Sequence, residues 1–166
     1  HGQVAHRTDS CADQGRKLAG SVSLHATARH TVVFVDTNVL LDVVTNHPEW
    51  ADWSQHQLEV AALKGPLVIN AVVYAELSIG FERIEEVESV LNRTQIVVEE
   101  IPREALFLAG KAFQRYKARG GTRTGVLPDF FIGAHAAVHG ILLLTRDAHR
   151  YADYFPKLEL LAPERD

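Results

Sequence analysis

Short runs of apolar residues, mostly aliphatic or β-branched, alternate along this chain with longer stretches in which apolar positions recur at helical spacing. The runs are TVVFV at 31–35, PLVIN at 66–70, QIVV at 95–98, ILLLT at 141–145 and LELLA at 158–162, and each predicts a strand. Between them, 37–45 and 49–64 predict helices, and Ile84, Val87, Val90 and Leu91 set an apolar stripe on a helix over 82–92. Pro102 suits the opening of a helix that runs to about Arg119 and ends at Gly120-Gly121; Pro128 opens another that reaches His139 and stops at Gly140. This alternation predicts an α/β fold with a central parallel β-sheet flanked by helices, an α/β/α sandwich. The runs are nearly uninterrupted, as expected of strands buried on both faces. Residues 1–30 break the pattern: they are polar, poor in aromatics and without a sustained period, and read as a tail or linker before one domain over 31–166.

Composition narrows this picture. A chain of 166 residues, 46% of them hydrophobic, can bury one ordinary core and is short for two. Its single cysteine, Cys11, cannot pair internally and has no zinc-finger partners, which fits a reducing, cytoplasmic compartment. The apolar runs fall far below the ~18 residues of a membrane span. With no methionine and a start at His1, the first residues read as a processed or expression-derived beginning. Arg7, Arg16, Lys17 and Arg29 against Asp9 and Asp13 give the tail +2, so of a total of −4 the remainder carries −6. An acidic domain argues against a nucleic-acid-coating protein, though not against an enzyme with a local basic patch.

In an open parallel sheet, ligands bind beyond the carboxyl ends of the strands, so acids just past a strand come first. Asp36 follows VVFV directly, and Asp147 follows ILLLT with Arg146 between. Asp129 sits beside Pro128 in the first turn of an apolar helix. Each has an ordinary reading: helix capping for Asp36, dipole compensation for Asp129. Glu76 is harder to dismiss, because its helical neighbours Val72, Val73 and Ile79 place a carboxylate on an apolar face with no Lys or Arg within a turn. Strand-end geometry would gather all four. Clustered carboxylates cannot all ionise without a cation. All-oxygen ligands without Cys or paired His select Mg2+ or Mn2+ over zinc, and such ions suit phosphodiester hydrolysis by metal-activated water.

The same residues stand in four motifs: Val35-Asp36-Thr37-Asn38-Val39-Leu40, Tyr74-Ala75-Glu76-Leu77, Leu127-Pro128-Asp129-Phe130-Phe131-Ile132-Gly133-Ala134-His135-Ala136, and Leu144-Thr145-Arg146-Asp147. From residue 32 to about 162 the chain resembles the PIN-domain ribonucleases, specifically VapC-type toxins of bacterial toxin–antitoxin systems. The resemblance implies a Rossmann-like PIN fold, a homodimer, and an Mg2+-dependent (or Mn2+-dependent) endoribonuclease that cleaves RNA and is held inactive by a cognate antitoxin. It places the family's acidic quartet, catalytic and metal-binding, on Asp36, Glu76, Asp129 and Asp147, and its supporting polar residues on Thr37, Asn38 and Thr145. The departure is the tail of about 30 residues, since such toxins usually start almost at the first strand.

Lys111, Arg115, Lys117, Arg119 and Arg123 form a basic stretch beside the proposed site and read either as an RNA-backbone contact or as a solvated helix end. Arg146 reads as a contact to phosphate or to an acidic partner, or equally as a surface arginine. Glu82, Glu85, Glu86 and Glu88 read as a solvated face, His135 and His139 as packing or capping groups, His149 as a helix start, and Trp50 and Trp53 as packing or interface groups. By family analogy, 49–92 offers the dimer or antitoxin surface. An aspartyl-phosphate hydrolase would need an acid two residues after Asp36, where Asn38 stands. A receiver domain would need a phosphoacceptor Asp on a middle strand, which QIVVEE lacks. A catalytically silent PIN-like module that binds RNA or protein is the remaining alternative.

Overall fold

The structure, a computed structural model, describes residues 31–164. The expected tail at 1–30 therefore lies outside the described residues. In chain order the elements are β1 (Val33–Val35), α1 (Thr37–Val44), α2 (Ala51–Lys64), β2 (Leu67–Asn70), α3 (Ala71–Ser78), α4 (Ile84–Thr94), β3 (Val97–Glu99), α5 (Arg103–Ala118), α6 (Pro128–His139), β4 (Leu142–Leu144), α7 (His149–Ala152) and β5 (Leu160–Leu161).

All strand pairs are parallel, in the order β3-β2-β1-β4-β5. The chain steps from β1 outward to β3 and then returns to β4 on the other side of β1. The strand order therefore reverses between β1 and β4, and a crevice opens beyond their carboxyl ends. Asp36 lies at that point: its N–H donates to the Leu144 carbonyl at 2.9 Å and extends the β1–β4 ladder by one residue.

The core lies where the pattern put it. Val33, Phe34 and Val35 of β1, Leu67 to Ile69 of β2, and Leu143 and Leu144 of β4 are buried with Val39, Val73, Leu77, Phe130 and Ile132 of the helices. Each such large side chain contributes about 1.5–3 kcal/mol. Burial on both faces does not extend to the edges: on β3, Val97 is 53% and Val98 44% exposed. An edge strand has neighbours on one side only, and an apolar run does not distinguish edge from centre. On α4 the inner stripe, Val87 and Leu91, is buried, whereas Ile84 stands 65% exposed at the helix's first position. Ile79, at the α3 C-cap, is 86% exposed, so it does not belong to an apolar face around Glu76.

Local chemistry fixes the helix ends that matter for the site. Asn70 caps α3, its Oδ1 accepting the N–H groups of Val72 and Val73 at 3.0 and 3.2 Å. Gly140, at φ 62, ends α6 in the left-handed conformation that glycine adopts without strain. Gly133 lets α6 lie close to its neighbours, since a Cβ there would fall 2.5 Å from the Phe155 ring. Among the described residues, no helix is long and apolar enough to cross a membrane.

Candidate metal centre

Asp36 occupies the N-cap position of α1 in an extended conformation, yet its side chain caps nothing. Its Oδ2 instead accepts two hydroxyls, Thr145 Oγ1 at 2.7 Å and Tyr151 Oη at 2.8 Å. With Oδ2 saturated, a cation would meet the other oxygen. Burial raises the Asp36 pKa, against the opposing hydrogen bonds from Thr145, Tyr151 and the Thr37 backbone and the charge of Arg150. Burial also pushes the Tyr151 hydroxyl well above its usual range, which keeps it a donor.

Thr145 is the hub of this corner. Its one proton goes to Asp36, while its oxygen accepts the Asp147 N–H at 3.1 Å and Asn38 Nδ2 at 3.4 Å. Asn38 Oδ1 accepts the Arg146 N–H at 3.2 Å, tying α1 to the turn after β4. Glu76, half-buried on α3, accepts Thr37 Oγ1 at 2.8 Å. The three residues expected to support the acids thus hold Asp36, Glu76 and the backbone of Asp147.

Asp129 lies in the first turn of α6, behind Pro128, with 26% of its side chain exposed. Its pKa is pushed up to about 6, first by burial, then by the charge of Asp36, with Arg150 opposing and Glu76 and Asp147 adding to the rise. All three other acids therefore lie within electrostatic reach of Asp129. Arg150, at the start of α7, bridges two of them: its Nε lies 2.9 Å from Asp147 Oδ2 and its Nη1 3.6 Å from Asp129 Oδ2. Among the described residues it is the one cation paired with the quartet.

Such a cluster fits a hard divalent ion. The donors are all oxygen, Asp36 and Glu76 are braced by hydroxyls, and Asp129 carries the raised pKa of a carboxylate short of positive charge. Among the described residues, the group of three potential ligands whose ligand atoms lie within 4.8 Å of one another is a different one, Glu99, His135 and His139, so the quartet is the more open arrangement. Hydrogen bonding argues against metal there. Asn70 Oδ1 is occupied by the α3 amides, so its Nδ2 is the atom that faces His135 Nδ1 at 3.3 Å. Nδ1 must then accept, which leaves the proton of the neutral ring on Nε2, 3.5 Å from Glu99 Oε2. A ligating imidazole needs the opposite arrangement, Nε2 bare and Nδ1 donating. His135 is fully buried, stacks edge-on against Phe34 and has its pKa lowered, chiefly by burial, in keeping with a packed neutral group.

The basic residues are not drawn into the acid cluster. Arg115 donates to the Tyr154 carbonyl at 2.8 Å and Arg119 lies over the Tyr154 ring, which packs edge-on against Phe130, the neighbour of Asp129. Lys117 donates to the Gly121 carbonyl, Lys111 covers Phe107, and the Arg123 N–H reaches the Tyr116 hydroxyl. The Arg146 guanidinium pairs with Asp42 at 3.1 Å and lies over Trp50. Asp42 is 2% exposed and also accepts Ser54 Oγ at 2.8 Å. Arg146, with 30% of its side chain exposed, thus joins α1, the start of α2 and the turn after β4. Trp50 and Trp53 form an edge-to-face pair, and the four glutamates at 82–88 are exposed, as expected.

Sequence reasoning missed Arg150 and Tyr151. The available signal was position: both follow Asp147 within one helical turn, on the short helix that His149 opens.

Residues 33–154 match the family profile described as PIN domain. No curated relative matches by sequence. Among solved structures, the chain is similar to VapBC2 from Rickettsia felis bound to a promoter DNA fragment, at TM-score 0.62 and 20% identity over 81% of this chain and 100% of that one. It is also similar to DNA-bound VapBC from Salmonella typhimurium, at TM-score 0.59 and 17% identity over 80% and 98%. For FitAcB from Neisseria gonorrhoeae the values are 0.55 and 16% over 78% and 96%.

Proposed function

This chain belongs to the PIN domain family, and from that premise we propose that it is a divalent-metal-dependent endoribonuclease, the toxin of a toxin–antitoxin pair. Asp36, Glu76, Asp129 and Asp147 would hold Mg2+ or Mn2+. The observation that carries the reading is that Asp36, Glu76 and Asp147 all act electrostatically on Asp129, with Asp36 at the point where the strand order reverses and hydroxyls of Thr37, Thr145 and Tyr151 donating to Glu76 and Asp36. When bound, the ion supplies Lewis-acid activation of water and neutralises charge on the phosphate and the leaving oxygen.

The protein's own part is positioning. Thr145 and Tyr151 fix Asp36 on one oxygen, so its other oxygen is presented in a single orientation. Thr37 fixes Glu76, and Asn38 with Thr145 holds the turn that carries Asp147. Arg115, Lys117, Arg119 and Arg123, with Lys111 further along α5, would take the RNA backbone and offset the repulsion between phosphate and an acidic site. Arg119→Glu with Arg123→Glu should weaken RNA binding and leave Mn2+ binding unchanged; an unaltered RNA affinity would remove this patch from the account.

The cognate antitoxin and a second copy would cover the 49–92 region. Leu63, Ile79 and Ile84, all in that stretch, are 89%, 86% and 65% exposed, as suits a surface covered by a partner. Incubating purified protein with total RNA in Mg2+, Mn2+ or EDTA tests the activity, with Asp36→Ala and Asp129→Ala as controls. Metal-dependent cutting absent from both variants supports the nuclease. Equal behaviour of wild type and variants would reduce the domain to a binding module.

A further inference from the structure

We propose that Arg150 is an exchangeable counter-ion of the acid cluster: it neutralises Asp129 and Asp147 before metal is bound, and divalent metal must displace it. This rests on the reading of the quartet as a metal centre and adds a residue that competes for it. The guanidinium is a planar fork, and here one edge reaches both acids, Nε toward Asp147 and Nη1 toward Asp129. Its side chain is 57% exposed, which leaves it an open side toward which to swing away. Its charge also acts on both Asp36 and Asp129.

A guanidinium and a divalent ion cannot share the same two carboxylates without mutual repulsion. Metal binding therefore frees Arg150 at the mouth of the crevice, where an RNA phosphate is the available anion. Phosphate in turn draws Arg150 off the carboxylates. Metal and substrate should thus assist each other through one side chain, since each removes the competitor of the other.

The test compares Mn2+ binding by calorimetry for the full chain, wild type, Arg150→Gln and Arg150→Lys, at low and high ionic strength and without RNA. Loss of a unit charge next to the ion should tighten Mn2+ binding by roughly tenfold at low salt and by less at high salt. The lysine variant, which keeps the charge but cannot bridge two acids, should fall between. With saturating Mn2+, Arg150→Gln should raise the KM for RNA. Unchanged or weaker Mn2+ affinity in Arg150→Gln overturns the competition, because Arg150 would then be neutral to the metal or needed to order its ligands. Tighter Mn2+ binding with an unchanged KM overturns the phosphate half alone. If neither wild type nor variant binds Mn2+, the reading of the quartet as a metal centre has itself failed, an outcome distinct from equal binding by both.

Discussion

Asp129→Asn should make the metal-free protein more stable at neutral pH, with the gain fading in acid. In the fold, the Asp129 carboxyl titrates at about 6 instead of 3.8, because burial and three neighbouring acids oppose its charge. Two units at about 1.4 kcal/mol each set an upper bound of about 3 kcal/mol on the cost of ionising it. The side chain is 26% exposed and its ion pair with Arg150 is lost in the variant, so the expected gain is about 1–2 kcal/mol. The sign follows from proton binding. Below about pH 4 the carboxyl is protonated in folded and unfolded chains alike, and there is no cost. Between about 4 and 6 the unfolded chain ionises first, so stability falls as pH rises; above about 6 the cost is complete. Urea unfolding in EDTA at about pH 4.5 and about pH 7.5 measures this as the difference between variant and wild type. His135, whose lowered pKa weakens the fold in acid, is present in both proteins and cancels. Added Mn2+ should then stabilise wild type more than the variant. A variant no more stable than wild type at neutral pH, or a difference independent of pH, would refute the claim that the four acids repel one another in this site.

Three further substitutions probe the scaffold. Thr145→Val removes one donor from Asp36 and the acceptor for Asp147 and Asn38, and should cost about 1–3 kcal/mol in urea unfolding together with most RNA cleavage, while Thr145→Ser restores both. Arg146→Ala strips the buried Asp42 of its cation and should lower stability by about 2–3 kcal/mol, measured the same way. Gly133→Ala sets a Cβ 2.5 Å from Phe155, which is 4% exposed and has little room to yield; the thermal midpoint should fall in keeping with about 1–3 kcal/mol of overpacking.

Much of this architecture was legible in the apolar runs, because strands of a covered parallel sheet are continuous apolar stretches and helices keep their own period. Asp36 and Asp147 can be placed at one sheet edge because Asp36 directly follows such a run and Asp147 stands one residue beyond another. Other features depend on geometry that the runs do not carry. The exposure of Val97 and Val98 follows from β3 lying at the edge, which is a matter of strand order. Arg150 and Tyr151 stand on α7, a helix of four residues, too short for any period to appear, and their aim depends on the turn between Thr145 and His149. Glu99 meets His135 through the register of β3 on β2 and the path of α6 across the sheet, neither of which local sequence encodes. That the acidic partner of Arg146 is Asp42 within the same chain is not legible either, because Asp42 lies on α1, far away in sequence.

The most direct test of the central claim is a crystal of the protein soaked in Mn2+ and measured near the manganese absorption edge, so that the ion is located by its anomalous signal. The account predicts a peak between Asp36, Asp129 and Asp147, with Glu76 facing it and the Arg150 guanidinium moved aside. A peak at Glu99, His135 and His139 instead, or none at the quartet when Mn2+ saturates the protein, would contradict it.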